Sequence, residues 1–246
     1  MTSAPVDQLT ERLQQLLEVA ADDRTRQYWE RYLKGTARFR GVPWPPFAPR
    51  CAPCGTLSGW PTSQLLALAE HWFGQPLSED KLAGTLLIAE QLAGRLTLED
   101  GDALARPPAG GKLADWSSCD WYATKALHAY LTANSQQLPA HAELVAGWST
   151  AANLWQRRAA VVAFVKLAPQ VPPPFPGLVD LLLAACANNL VSSDRFAHTG
   201  PGWLLRELSR SHPDQVARFV DAHPELSAEA AQMATARLRP GPYRRR

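Results

Sequence analysis

The stretch LADWSSCDWYATKALHAYL, residues 113–131, has the apolar spacing of an amphipathic helix and predicts one over residues 113–133. Trp116 and Asp120 are four residues apart, so they share one face of that helix. A carboxylate beside an indole is unusual there, because a solvent-facing helix would rather carry Glu and Lys. Trp121 points about 100° away from Asp120 and is predicted to pack. The apolar positions are Leu113, Tyr122, Ala126, Leu127, Tyr130 and Leu131.

Helical periodicity also dominates the rest of the chain, and no alternating β pattern is convincing. Proline- and glycine-rich stretches such as GVPWPPFAPRCAPCG, RPPAGG and PQVPPPFPG are predicted as breaks between helices. Thr62 or Ser63, Ser78 and Thr199 are candidate N-caps, with Pro201 in the first turn after Thr199. Further helices are predicted over VDQLTERLQQLLEVA, RQYWERYL, TSQLLALAEHWF and SEDKLAGTLLIAEQLAG, and at about 137–149, 153–168, 176–191, 194–211, 213–222 and 227–238.

About ten or eleven helices joined by short connections predict an all-α fold. Residues 1–246 are expected to form a single domain, with a Pro-rich loop at 43–61 and a basic tail at 240–246. Antiparallel helices in succession are typical of a superhelical solenoid of helical repeats. The repeat is irregular at the residue level, so a compact all-α domain without a concave groove is the alternative.

The charge of the chain is unevenly distributed, although its net charge is only +2. Residues 1–150 carry 13 Lys and Arg against 16 Asp and Glu, whereas residues 151–246 carry 12 against 7. A basic half favours an anionic partner such as nucleic acid, but a solvated basic surface with a frayed tail fits equally well. No secretory leader and no apolar run of membrane-spanning length is found, so a cytoplasmic protein without a membrane partner is expected.

The four cysteines do not predict a metal site or a cofactor. Cys51 and Cys54 form the lone pair CAPC, without a second pair or a nearby histidine cluster. A thioredoxin-like motif would need a βαβ context, which is absent from the pattern. The pair is therefore interpreted as loop cysteines, although the sequence does not fix their role.

Four places stand out, and each alone has a structural explanation. Asp120 could cap or pair near a helix start, and Trp116 and Trp203 could be core residues. Arg157 and Arg158 precede the apolar run AAVVAFV, so at least one is expected to pair or to extend along it. The remaining place is the segment YLKGTARFRGVP.

Together these segments resemble the DNA alkylation repair (AlkD-like) family of DNA glycosylases. The resemblance runs from YWERYLKGTARFRGVP to LSAEAAQMATARLRPGPYR, and DWSSCDWYATKAL, NLWQRRAAVVAF and RFAHTGPGWLLRELSRSHPDQVARFV are its most specific parts. It implies a superhelix of HEAT-like repeats with a concave, basic, DNA-binding face. It also implies removal of cationic alkylated purines such as 3-methyladenine and 7-methylguanine from double-stranded DNA, by a monomer without a cofactor.

Carried over by motif, the resemblance assigns catalysis to Asp120, with Trp116 and Trp203 as aromatic partners. The arginine of the groove falls on Arg158, with Arg157 as the off-by-one alternative. Two departures are the HTGPG stretch before Trp203 and the Pro-rich loop 43–61, which is longer than expected of the family. Weaker candidates for contacts to the DNA backbone are Lys34, Arg38, Arg40, Arg195, Arg206 and Arg210.

Two other functions stay open from the sequence. One is a non-catalytic HEAT-like protein that binds distorted or branched DNA, although such a binder has no need of the Trp116–Asp120 pair. The other is a protein-interaction scaffold, the commonest use of HEAT-like arrays. Neither the preferred lesion nor the acceptance of bulky adducts is predicted.

Overall fold

The computed structural model describes residues 4–43, 57 and 59–238. These residues form α-helices with short 3₁₀ and π turns, and no β-strand occurs among them. A single isolated bridge joins Arg38 to Leu77. The predicted all-α class is therefore confirmed, whereas the CAPC pair and the basic tail lie outside the described residues.

The chain divides into two compact units, one ending at Ala133 and one beginning at Asn134. A π turn, Ala123–Leu127, joins the helix Trp116–Tyr122 to the helix His128–Thr132, so residues 116–132 are continuously helical, as predicted. The first unit contains α1 (Ala4–Val19), α2 (Asp23–Tyr32), α3 (Thr62–Phe73), α4 (Ser78–Leu87), α5 (Gly101–Ala109), α6 (Trp116–Tyr122) and α7 (His128–Thr132). The second contains α8 (Leu138–Gly147), α9 (Leu154–Val162), α10 (Leu178–Asn189), α11 (Arg195–Leu208), α12 (Pro213–Ala222) and α13 (Ala228–Thr235).

Each unit buries the apolar stripes that the sequence pattern predicts. In the first unit, Trp72 and Tyr122 are fully buried, and the Tyr122 hydroxyl donates to the Leu104 carbonyl at 2.7 Å. In the second unit, Phe164 and the alanine- and valine-rich segment 159–163 are fully buried. Each unit thus has a core of its own, and none of the helices of the described residues is long and apolar enough to span a membrane.

Side-chain caps fix where α6, α9 and α11 begin. Asp115 accepts from the Ser118 N–H at 2.9 Å and starts α6, and Asn153 accepts from the Trp155 N–H at 2.8 Å and starts α9. Asp194 accepts from the Phe196 N–H at 2.7 Å and starts α11. Such acceptors satisfy amide donors that lack a partner in the first turn of a helix.

Several predicted boundaries are wrong. α3 and α4 begin after Pro61 and Leu77 without a side-chain cap, so Thr62, Ser63 and Ser78 do not act as N-caps. The RPPAGG stretch is not a loop throughout, because α5 continues through both prolines to Ala109. A helix tolerates proline in its first turn, because the N–H that proline lacks would have no partner within the helix there. Here the prolines lie late in the helix, where both are buried.

The helix predicted at about 194–211 is confirmed as α11, but Thr199 as its N-cap is wrong. The helix begins five residues earlier, after Asp194, and passes through Pro201. A proline inside a helix costs about 3 kcal/mol, so tertiary packing must stabilise this segment. Gly200 and Gly202 provide that packing. A β-carbon on Gly200 would lie 3.2 Å from Val161 Cγ2, and one on Gly202 would lie 2.9 Å from the Cα of Ala230.

A tight loop folds back over the start of α2 and is held by one buried carboxylate. Glu79 accepts from the backbone N–H groups of Arg40, Gly41 and Val42 at 2.9, 2.8 and 3.1 Å. The Asp22 N–H donates to the Gly41 carbonyl at 3.0 Å. Gly41 has φ +94°, and a β-carbon there would lie 2.3 Å from the Asp22 carbonyl oxygen. Only glycine fits this contact.

Candidate functional site

Trp116 and Asp120 lie on consecutive turns at the start of α6. Because Asp115 caps the helix, Trp116 is its first residue, and Asp120 follows one turn later. Asp120 is only 8% exposed, whereas Trp116 is half-buried. The capping role that could have explained Asp120 therefore belongs to Asp115. An acid with so little exposure is uncommon, since burying a carboxylate is costly unless it is paired or hydrogen-bonded.

An aromatic surface from α2 meets Trp116. The Tyr32 ring lies edge-on to Trp116, with centroids 5.7 Å apart and planes at 71°. Tyr28 stacks on Tyr32 in turn, with centroids 6.1 Å apart and planes at 4°. Both tyrosines are more than half exposed, so they offer π faces to a ligand from solvent. The sequence analysis did not identify Tyr32, although its position four residues after Tyr28 on α2 was a usable signal.

Trp121 lies on the neighbouring stripe of α6, one turn after Ser117. Its ring lies 5.5 Å from the Lys125 ammonium nitrogen. It also lines a small cavity of about 70 Å³ together with Ser117, Trp29 and Phe39. The predicted separation of Trp121 from the Trp116–Asp120 pair agrees with this placement, but its side chain is half-buried rather than part of the core.

Arg158 lies against α11 in the second unit and is only 5% exposed. Its Nη1 donates to the Phe196 carbonyl at 3.1 Å and to the Thr199 hydroxyl at 3.0 Å, and its Cζ lies 5.8 Å from the Phe196 ring. A β-carbon on Gly200 would lie 3.4 Å from its Cγ, so the glycine leaves room for the side chain. Trp203 follows Gly200 by three residues, which makes the two neighbours on the surface of α11. The structure therefore brings Arg158 to the same part of α11 as half-buried Trp203.

Arg157 has a different environment. Its Nη1 donates to the carbonyl oxygens of Ala151 and Ala152 at 2.9 and 2.7 Å, so it holds the turn before α9. Its Nε has no hydrogen-bond partner and is buried. These contacts favour Arg158 over Arg157 as the residue beside Trp203.

The other predicted basic residues differ in how available they are. Lys34 and Arg38 are exposed. Arg40 is largely buried, with its Nη1 2.7 Å from Asp80 and its Nε 3.5 Å from Glu18. We therefore leave Arg40 out of the DNA contacts proposed below. Arg195 is exposed, but its guanidinium forms an ion pair with both oxygens of Glu229. Arg206 is half-exposed and forms an ion pair with Glu207.

Metal ligation has no support in the part of the chain that the structure describes. No group of three or more His, Cys, Asp or Glu side chains that could hold a metal ion occurs there. Cys119 and Cys186 are buried free thiols, and burial raises the pKa of Cys186. A thiol with a raised pKa is a poor nucleophile at neutral pH. The side chains described above offer carboxylate, aromatic and guanidinium groups.

Comparisons with known proteins place the chain among enzymes of DNA repair. In particular, the chain belongs to the DNA alkylation repair enzyme family, whose model matches residues 13–238. Membership implies that DNA is the partner. The chain is also similar to a solved structure described as a predicted DNA alkylation repair enzyme from Enterococcus faecalis. That likeness has a TM-score of 0.75 at 22% identity, and covers 90% of this chain and 98% of the other. At this identity it shows the shared fold. No curated protein matches the chain.

Glu207, on α11, gives a pH-dependent prediction. Burial would raise the pKa of Glu207, but hydrogen bonds and charges from Arg237 and Arg206 outweigh it and lower that pKa below the usual 4.5. A carboxyl with a lowered folded pKa stabilises the protein above its unfolded pKa, and this stabilisation is lost as pH falls through the folded value. At pH 7, Glu207→Gln should lower the free energy of unfolding by about 0.5–1 kcal/mol.

Urea unfolding measured at pH 7 and again below the folded pKa checks this. The stability difference between wild type and Glu207→Gln should shrink at the lower pH. Glu143→Gln, an exposed change on α8, is the control and should leave stability unchanged. A difference for Glu207→Gln that stays constant with pH would contradict the role of its ionised form.

Proposed function

We propose that the protein is a monofunctional DNA glycosylase that hydrolyses the N-glycosidic bond of cationic alkylated purines in duplex DNA. The preferred class is that of 3-methyladenine and 7-methylguanine. The observation that carries the proposal is the pairing on α6 of a nearly buried carboxylate, Asp120, with the indole of Trp116 one turn earlier. Neither side chain caps the helix, so the capping explanation for Asp120 no longer applies.

The chemistry of the leaving group explains why a carboxylate and π faces suffice. A purine alkylated on a ring nitrogen is cationic and leaves as a neutral base with the electron pair of the bond to C1′. No general acid is needed to protonate it. Positive charge then develops on the sugar, as in glycoside hydrolysis. Water adds to C1′ and loses one proton, leaving an abasic site and the free base.

Asp120 supplies the anion that this transition state requires. A preorganised charge aimed at a developing charge contributes roughly 3–4 kcal/mol, judged by the loss of single oxyanion-hole donors. The carboxylate also serves to orient the attacking water and to accept its proton. Burial of Asp120 strengthens both effects, because a charge acts more strongly where water is excluded.

The aromatic groups stabilise the same cation more weakly. A cation over an indole or phenol face gains about 0.5–2 kcal/mol. Trp116, with Tyr32 against its edge, is proposed to face the sugar, and Trp203 is proposed to contribute a second indole. The resemblance to the AlkD-like family implies that the altered base stays in or near the stack, so that the protein grips sugar and backbone without a base-flipping pocket.

Tyr32 provides a prediction for the aromatic surface. Tyr32→Ala should lower the rate of base release by about 3–30-fold, because it removes a ring that orients Trp116 and offers a π face. Tyr32→Phe keeps the ring and should stay within about twofold of wild type. Single-turnover release of 7-methylguanine measures both variants. Equal losses in the two variants would assign the effect to the hydroxyl and contradict the role of the ring.

Phosphate contacts are proposed to position the duplex. Lys34 and Arg38 are the exposed candidates, and Arg158, which is buried against α11, is kept as the arginine that the resemblance assigns. Such contacts bind without reading sequence. Affinity for duplex DNA should therefore depend little on sequence and fall steeply with salt. We also propose that the protein acts as a cytoplasmic monomer.

The test is a lesion-release assay. A duplex containing one 7-methylguanine is incubated with the protein and then heated in alkali, which breaks the strand at an abasic site. Breakage at the lesion beyond that of the same duplex heated without protein supports the glycosylase, because hot alkali alone also breaks some strands at 7-methylguanine. Tight binding to branched DNA without breakage of any cationic lesion would instead support a non-catalytic member of the family.

A further inference from the structure

Three arginines surround the carboxylate of Glu207 on α11. Arg206 belongs to the same helix, Arg210 follows its end, and Arg237 lies after α13. Arg206 approaches Glu207 Oε1 with its Nε and Nη2, both at 3.1 Å. Arg237 places its Nη1 2.6 Å from Glu207 Oε2, and Arg210 places its Nη1 3.6 Å from the same oxygen. One negative charge thus faces three positive charges, and the cluster carries a net charge of about +2.

The carboxylate is covered, but the guanidinium groups reach solvent. The Glu207 side chain is 12% exposed, whereas those of Arg206, Arg237 and Arg210 are 35%, 39% and 57% exposed. A guanidinium carries five N–H donors in a rigid fork, so one bound to a carboxylate can still donate outward. The cluster therefore offers preordered donors and excess positive charge, which match a phosphate group.

Holding α11 to α13 does not require three arginines. The two helices already touch at Gly202, where an added β-carbon would lie 2.9–3.0 Å from three atoms of Ala230. A single arginine, Arg237 paired with Glu207, would be enough to reinforce that contact. The two further arginines increase mutual repulsion without a second carboxylate among the ion pairs of the described residues. This excess charge is better explained by an anionic ligand.

The cluster also lies on the face of α11 that carries Trp203. Arg206 and Glu207 follow Trp203 by three and four residues, the spacing of one helical stripe, whereas Arg210 lies just beyond Leu208, the last residue of α11. At 1.5 Å per residue, Arg206 and Glu207 lie roughly 5–6 Å beyond Trp203 along the helix. Phosphates of one DNA strand recur about every 3.4 Å along the duplex axis. A strand whose sugar contacts Trp203 would therefore bring a phosphate within about three nucleotides to the cluster.

We propose that Arg206, Arg210 and Arg237, positioned by Glu207, form a binding site for a phosphate of the DNA backbone next to Trp203. This site rests on the proposed function only in that a DNA strand passes Trp203. Arg237 is the distinctive member, because it comes from the segment after α13 and extends the phosphate contacts beyond α11. Glu207 is a positioning residue that holds the three side chains in place.

The experiment measures binding of an undamaged, labelled duplex by fluorescence anisotropy between about 50 and 200 mM salt. Arg237→Gln should weaken binding about tenfold at the low-salt end and reduce the slope of log Kd against log salt by about 1. Arg218→Gln is the matched control. Arg218 is exposed on α12, and no ion pair of it occurs among the described residues. It removes the same charge and should leave the slope unchanged.

Arg237→Lys separates charge from geometry. It keeps the charge but loses the fork, so the slope should stay near that of wild type while affinity falls a few-fold. Should Arg237→Gln fail to fold, as judged by thermal unfolding, Arg210→Gln takes its place with the same expected slope.

The outcomes distinguish this site from the proposed function. Wild type that binds DNA and releases 7-methylguanine, with Arg237→Gln and Arg218→Gln indistinguishable in slope, would overturn the phosphate site alone. Wild type that binds DNA but releases no base, with the slope change confined to Arg237→Gln, would support the site and contradict the glycosylase. Wild type that fails to bind any duplex would contradict both.

Discussion

Asp120→Asn should bind duplex DNA containing 7-methylguanine as well as wild type, but release the base about 10²–10³-fold more slowly. The substitution keeps the size of the side chain while removing its charge. If the carboxylate stabilises the cationic sugar by roughly 3–4 kcal/mol, that loss converts to this rate difference at 1.36 kcal/mol per factor of ten. Single-turnover release under saturating protein measures the rate, and anisotropy measures the binding.

Asp102→Asn removes one exposed acid from α5 in the same unit and should change neither rate nor affinity by more than about twofold. It therefore controls for the overall loss of negative charge. Release by Asp120→Asn at the wild-type rate would remove Asp120 from the chemistry and leave the Trp116–Asp120 pair without an explanation.

Gly41→Ala should be among the most destabilising single changes in the first unit. At φ +94°, a β-carbon is unfavourable by about 1–2 kcal/mol. It would also lie 2.3 Å from the Asp22 carbonyl oxygen and 2.7 Å from the Arg26 nitrogen, both backbone atoms that cannot rotate away. Overpacking of this kind costs a further 1–3 kcal/mol or so. The expected total of about 3 kcal/mol should lower the melting temperature by roughly 6–12 °C.

Gly35→Ala is a matched control for this change. Gly35 also has a positive φ, +75°, but an added β-carbon there would meet nothing within 4 Å. Its cost should be limited to the backbone term of about 1–2 kcal/mol. Differential scanning calorimetry compares the two variants. Equal melting temperatures would show that the loop moves away from α2, and that Glu79 does not hold it as tightly as its three hydrogen bonds indicate.

The features that the sequence predicts correctly are those that depend on local spacing. The apolar repeat in residues 113–131 is enough to predict the continuous helix over α6 and α7, because burying one stripe stabilises a helix whatever it packs against. The same spacing places Trp116 and Asp120 on one face. Boundaries set by an unambiguous break, such as α12 at 213–222, are also correct.

The features that it misses depend on contacts between distant segments. Thr199 and Pro201 suggest an N-cap inside the predicted helix at 194–211, but Asp194 caps α11, and close packing of Gly200 and Gly202 on neighbouring helices accommodates Pro201 within it. Glu79 has no motif, and its role arises only because a loop some forty residues earlier brings three amide groups to it. A contact between elements leaves no periodic signal in either segment.

Contacts between distant segments also decide the roles of Arg40 and Tyr32, which the sequence alone does not predict. Composition makes Arg40 a candidate for a DNA contact, but Asp80 and Glu18 bind its guanidinium. In the sequence, Tyr32 looks like an ordinary residue of an amphipathic helix, and only the structure shows its ring against Trp116. Charge and residue type indicate what a side chain can do, whereas the tertiary contacts decide whether it is available.

The most direct test of the proposed reaction is release of free base from two matched duplexes that differ only in the methylated position of one guanine. In one, methylation at N7 makes the base cationic; in the other, methylation at O6 leaves it neutral. Chromatography of the free base under single-turnover conditions gives both rates. The proposed mechanism predicts release of 7-methylguanine together with an abasic site, and no release of the O6-methylated base. Equal release from both duplexes, or from neither, would contradict catalysis through the cationic leaving group.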